Sequence, residues 1–134
     1  MEGEIEEKEG LLFESFELQQ PLQEAIAKLG FEYCTPIQAQ SLVHTLAGHD
    51  VTGRAQTGTG KTAAFLITII NDLLSNPIVG HRYLAEPRAL IVAPTRELAM
   101  QIANDARKLT AYCDIHTVTL VGGEDYVKQN IALD

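Results

Sequence analysis

The sequence has no tryptophan, only two cysteines, and ten basic residues against eighteen acidic ones. No apolar run approaches the ~20 residues that a membrane-crossing helix needs. The N-terminal stretch MEGEIEEKEG lacks the basic-then-apolar form of a secretory signal. Cys34 and Cys113 stand apart, as do His44, His49, His81 and His116. That spacing lacks a metal-ligand motif, so the histidines read as surface or packing residues, and so few cysteines exclude a disulfide scaffold. A reduced, cytoplasmic setting is the expectation. The formal net charge of -8 excludes nucleic-acid binding by a broad basic surface. Any such contact must rest on a few groups. Part of the acidity is local: Glu2, Glu4, Glu6, Glu7 and Glu9 surround Lys8, so residues 1–10 are expected to be a disordered tail. What remains is ordinary. At 134 residues, 46% hydrophobic and 21% charged, the chain suits one globular domain with a real core.

Hydrophobic spacing sets out an order of elements. Leu22, Ala25, Ile26 and Leu29 recur at helical intervals, with Pro21 suited to the first turn and Gly30 to the stop. Thr35-Pro36-Ile37-Gln38 opens a second helix, predicted to run to about Ala47. Gly48-His49-Asp50 is a turn, and Asp50–Ala55 a short strand. Lys61–Ser75 reads as a helix, followed by a long loop from Asn76 to Pro87. Ala89–Ala93 (ALIVA), apolar without alternation, predicts a buried strand. Thr95 to about Ala111 is a helix and His116–Val121 a third strand. Gly122-Gly123 is a turn, and a last helix begins near Glu124. Strands alternating with helices predict an α/β fold, with parallel strands and flanking helices.

Residues 55–62 read AQTGTGKT. The general phosphate loop is G-x-x-x-x-G-K-T/S, and here Ala55 stands at the first glycine. The remainder, Gln56, Thr57, Gly58, Thr59, Gly60, Lys61 and Thr62, keeps the pattern. Gly58 and Gly60 let the backbone wrap an anion, and the helix behind adds its positive end. Lys61 would reach the β- and γ-phosphates, and the Thr62 hydroxyl would bind Mg²⁺. A plain strand-to-helix turn is the simpler alternative, but the Lys-Thr ending argues against it.

Two further stretches admit both a structural and a functional reading. In GFEYCTPIQ (30–38), Thr35 and Gln38 have capping-box spacing, with Pro36 at the favoured first position. The Gln38 amide could equally read adenine, as such amides do in nucleic-acid grooves. In PTREL (94–98), Thr95 is a good N-cap and Glu97 an acid placed well for the helix dipole. The same helix start could hold a phosphate.

Taken together, FESFELQQPLQEAIAKLGFEYCTPIQ, AQTGTGKT, PTREL and Gly122-Gly123 resemble, in order and spacing, the Q motif and motifs I, Ia and Ib of DEAD-box RNA helicases. The resemblance runs from about residue 11 to residue 130, and Ala55 agrees with that family's loop. CTPIQA, EPRALIVAPTRELAMQI and GGEDYVKQ look most like the family's bacterial RNA helicase B type. The resemblance implies a partial RecA-like P-loop domain that binds ATP with Mg²⁺. Within it Gln38 would hydrogen-bond adenine beside Thr35, with Phe31 against the ring and Phe13 supporting from upstream. Pro94, Thr95, Arg96 and Glu97 would belong to an RNA-backbone site, and Gly122 and Gly123 would let the RNA approach closely. Backbone contacts carry no sequence information, so RNA binding would be sequence-tolerant. The helicase B likeness further implies RNA-degradation machinery as a partner, and nothing implies a membrane.

The family's acidic Asp-Glu motif does not occur in this sequence. Glu124-Asp125, the nearest acidic pair, reads as helix-dipole partners at a helix start. No catalytic residue is therefore expected here, and the chain alone is expected not to hydrolyse ATP. The expectation is an N-terminal piece of a longer helicase whose absent strands would leave apolar faces open. The alternatives are a stand-alone, non-catalytic ATP- or RNA-binding module and a DNA-directed phosphate-loop enzyme.

Overall fold

The computed structural model describes residues 11–54, 60–80, 86–123 and 127–129. Four helices dominate these residues: α1 (Gln20–Lys28), α2 (Pro36–Thr45), α3 (Lys61–Ser75) and α4 (Arg96–Leu109). A single 3-10 turn, Phe13–Ser15, precedes them. Each helix lies where the hydrophobic spacing predicts it. α1 begins with proline in its first turn and is followed by Gly30 at φ +78°. α2 stops at Thr45, two residues before the expected Ala47, because Gly48 takes φ +88°. α3 matches its predicted span. α4 starts after the N-cap Thr95, whose Oγ1 accepts the Leu98 N–H at 3.2 Å.

α3 packs against each of the other three helices. Its Leu66 and Ile67 are fully buried, together with Leu22 of α1 and Leu42 of α2. Removing such a side chain from water contributes about 1.5–3 kcal/mol. α4 adds Ile102, Ala106 and Leu109 to the same cluster. Below α3, Arg88 donates to the carbonyls of Leu73 and Asn76. Those carbonyls end a helix and have no partner within it. Arg88 thereby ties the segment that carries ALIVA to the end of α3.

The expected parallel sheet is not formed among the described residues. The segments 51–54, 89–93 and 116–121 carry no ladder hydrogen bonds. Ala89–Ala93, expected as a buried strand, has Leu90 and Val92 each 83% exposed, against 38% for Ile91. In the third segment, Ile115, Thr117, Thr119 and Val121 are half-buried while His116, Val118 and Leu120 are exposed. This period of two belongs to an extended chain resting one face on the helices. A strand is completed only when a neighbouring backbone pairs with its edges, and among the described residues these three have no such bonds. Val51, Leu90, Val92, Val118 and Leu120 along them are exposed. The one bridge described, antiparallel between Leu12 and Tyr33, lies in a stretch where the sequence predicts no strand.

Candidate functional site

The site is built where α2 and α3 begin. Upstream, the Leu12–Tyr33 bridge holds the chain through Phe13 N–H to the Glu32 carbonyl at 3.0 Å and Cys34 N–H to the Leu11 carbonyl at 2.7 Å. It sets Phe13 in the core and leaves Phe31 46% exposed, with ring centroids 6.3 Å apart and a 35° tilt. Phe13 is therefore a buried prop, and Phe31 an aromatic surface resting on it. Cys34, between bridge and helix, belongs to the core, and burial pushes its thiol pKa up from the ordinary 9.0.

Thr35 and Gln38 form the capping box. The Gln38 N–H reaches Thr35 Oγ1 at 3.4 Å, and the Thr35 N–H donates to Gln38 Oε1 at 2.9 Å. The same amide also turns toward the start of α3. Gln38 Nε2 donates to the Gly60 carbonyl at 3.2 Å. Gln38 is one of the few buried polar residues described, 6% exposed.

Gly60 is required at this junction. It caps α3 with φ +84° and ψ +20°, a left-handed conformation that L side chains rarely adopt. A Cβ there would run into the Gln38 amide nitrogen and stand 3.0 Å from its Cδ. The contact spans 22 residues, so local pattern could not reveal it. The loop pattern points Gly60 to phosphate and the family resemblance points Gln38 to adenine; neither contains their contact. Lys61 follows as the exposed first residue of α3, with Thr62 half-buried beside it. Ala55, Gln56, Thr57, Gly58 and Thr59 lie outside the described residues, as do the tail 1–10 and Glu124-Asp125.

The second candidate cluster lies at the start of α4. Arg96 Nη2 donates to the Gly122 carbonyl across 26 residues. Gly123 sits at φ +79°, and a Cβ there would come within 2.6 Å of Arg96 Nη2. The pair Gly122-Gly123 is thus where the backbone comes close enough to meet an arginine. Pro94, Thr95 and Glu97 are exposed around it. A guanidinium has five N–H donors, and the Gly122 bond engages one nitrogen.

Among the described residues no helix is long and apolar enough to cross a membrane. A family model described as DEAD/DEAH box helicase matches residues 35–133. The ATP-dependent RNA helicase RhlB of Pseudomonas putida is 56% identical over 131 residues, covering 97% of this chain and 33% of that relative. Its namesake in Pseudomonas aeruginosa is 59% identical over 126 residues, 93% of this chain and 32% of the relative. The chain thus spans about a third of the length of the curated relatives it matches. The crystal structure of the RNA-helicase Prp28 from Chaetomium thermophilum bound to ADP superposes with TM-score 0.75 at 36% identity, over 87% of this chain and 28% of that one. A DEAD box protein from the hyperthermophile Methanococcus jannaschii gives 0.74 at 29% identity, over 91% and 32%. These likenesses make the helical assembly part of a RecA-like fold. With a family match over most of its length and relatives above half identity, the chain belongs to the DEAD/DEAH box helicase family.

Proposed function

We propose that the chain is the ATP-gripping, RNA-contacting N-terminal portion of an ATP-dependent RNA helicase. Residues 11–134 would form part of its first RecA-like domain, behind an acidic tail at 1–10. The observation that carries this reading is the Gln38 amide held between Thr35 and Gly60. An amide oxygen has two lone pairs and an amide nitrogen two hydrogens. Thr35 N–H uses one lone pair and the Gly60 carbonyl one hydrogen. One acceptor and one donor are left, the complement of adenine's N6 donor and N7 acceptor. Capping and base reading are then compatible, and guanine, with O6 in place of the N6 donor, would leave the amide oxygen unmatched. Phe31, propped by Phe13, offers a face for the base.

The phosphates would lie at the start of α3, drawn by its positive end and by Lys61, with Thr62 as ligand to Mg²⁺. The Gly60 turn, which no side chain can enter without striking Gln38, fits a backbone cradle for an anion. ATP supplies the hydrolysable anhydride; these residues bind and orient it. No Asp-Glu motif accompanies them in the sequence, so the chain is expected to bind without hydrolysing. In the longer protein, hydrolysis would be coupled to RNA remodelling. Segments 50–55, 89–93 and 116–121 would there join a parallel sheet, a reading supported by the exposure of Val51, Leu90, Val92, Val118 and Leu120. Arg96 beside Gly122-Gly123 would hold RNA backbone. The setting would be cytoplasmic, and the RNA helicase B likeness suggests RNA-degradation machinery as a partner.

Calorimetric titration with Mg²⁺-ATP tests the reading. Lys61→Ala should weaken binding at least about tenfold, a loss of about 1.4 kcal/mol. Equal affinity of the two proteins refutes the phosphate assignment. ATP turnover by the chain that disappears in Lys61→Ala refutes the binding-only assignment.

A further inference from the structure

The two residues that begin the site also begin two helices running side by side. Gln38, in the first turn of α2, is bonded to Gly60, the cap of α3. Seven residues further along each helix, counted from Gln38 and Lys61, stand Thr45 and Thr68. Their Oγ1 atoms are 2.7 Å apart. Seven residues are about two helical turns, roughly 10 Å of axis. α2 and α3 are therefore parallel and fastened at two levels, once beside the site and once two turns behind it.

The direction of the second bond follows from proton counting. A hydroxyl has one proton. Thr68 Oγ1 gives its own to the Ala64 carbonyl at 3.0 Å. Thr45 is then the donor and Thr68 the acceptor. Apart from Gln38, the buried side chains of these two helices are apolar: Leu42 in α2, with Ala64, Leu66, Ile67 and Ile70 in α3. Apolar burial depends on area and has no preferred direction, so it resists separation more than sliding or rolling. A hydroxyl pair weakens steeply once its angle is lost. The Thr45–Thr68 bond therefore opposes a small slip of α2 along α3 two turns behind the site, as the Gln38–Gly60 bond does beside it.

We propose that Thr45 and Thr68 are positioning residues that set base selectivity by fixing the register of α2 on α3. This rests on the reading of Gln38 as the adenine reader. The phosphate grip, Gly60 to Thr62, travels with α3, and the base reader, Gln38, travels with α2. A slip between the helices leaves the grip intact and moves the reader relative to it. The loss falls on discrimination between bases, not on affinity for phosphate.

The test compares mant-ADP with mant-GDP, each with Mg²⁺, on the full 134-residue chain. Thr45→Val and Thr68→Val should each lower the ADP-over-GDP preference about fivefold or more, with GDP affinity unchanged within about twofold. The double variant should be no worse than either single one, since one bond is removed in each case. Thr45→Ser, which keeps the hydroxyl, should restore the preference. Unchanged preference in Thr45→Val, with only a lower melting temperature, makes the pair a stability device and overturns the proposal. Gln38→Ala separates the two levels of the reading. If it abolishes the preference and Thr45→Val does not, the register proposal alone fails. If Gln38→Ala leaves the preference intact, the base reading fails and the proposal with it.

Discussion

Replacing Gly60 by alanine puts a Cβ against the Gln38 amide in a left-handed turn. Two costs add there. The first is backbone: φ +84° is left-handed, and a residue with a Cβ held so costs about 1–2 kcal/mol. The second is local: the Cβ strikes the Gln38 amide, with Cδ at 3.0 Å and Thr35 Oγ1 at 3.5 Å. Gln38 must swing away, losing its bond to the Gly60 carbonyl, about 0.5–1.5 kcal/mol. Its share of the capping box goes too, about 1 kcal/mol. Gly48 isolates the first cost. It has φ +88° with nothing within 4 Å of its would-be Cβ. Gly60→Ala should therefore be less stable than Gly48→Ala by about 2 kcal/mol, the sum of the two Gln38 losses. In urea unfolding followed by far-UV circular dichroism, with a slope of ~1–3 kcal/mol/M, the midpoints should differ by about 1 M. In a Gln38→Ala background the obstacle is gone, and Gly60→Ala should cost no more than Gly48→Ala does. Equal losses for the two glycines in the unsubstituted background would refute the Gln38–Gly60 contact as described.

Other outcomes follow from the same geometry. Thr35→Ala removes the cap oxygen, which accepts from the Gln38 N–H at 3.4 Å, and should cost about 0.5–2 kcal/mol, the range for such caps; the urea midpoint reads it. Arg96→Ala should weaken RNA binding alike for unrelated sequences and reduce the salt slope by about 1; a loss confined to one sequence in filter binding would contradict a backbone contact. Cys34 should alkylate more slowly than Cys113 near neutral pH, because Cys34 is buried and its thiolate disfavoured, whereas Cys113 is half-buried; denaturant should remove the difference, as mass spectrometry of labelled peptides would show. The sign of the linked pH effect is fixed as well. Folded Cys34 keeps its proton above pH 9.0, where the unfolded thiol releases it, so Cys34 makes the chain less stable as pH rises past that value; a Cys34→Ala variant should lose that part of the alkaline slope.

All four helices were legible because their signals are local. Apolar residues at helical spacing, Pro21 and Pro36 in first turns, and Thr35 and Thr95 as caps act within a few residues of the backbone they shape. The candidate residues were legible for the same reason, as short patterns in a recognisable order. Thr35 and Gln38 could be read as a capping box or as a base reader, and no local pattern could choose between them. The tertiary contact adds what spacing could not: the amide has a second bond, to Gly60, and retains a donor and an acceptor.

The strands were less legible, for the opposite reason. ALIVA reads as a buried strand from its apolarity, yet Leu90 and Val92 face outward. Apolarity states a preference for burial; a ladder needs a second backbone at hydrogen-bonding distance, which the residues of one segment cannot specify. The same holds for the contacts of Gln38 with Gly60, Thr45 with Thr68, and Arg96 with Gly122, separated by 22, 23 and 26 residues. The sequence by itself determined where helices begin and end and which side chains could carry the chemistry, because those depend on near neighbours and on functional groups. Only the tertiary structure decided which of them meet, because burying Leu22, Leu42, Leu66 and Ile67 together fixes the helices against one another and brings distant polar groups within bonding reach.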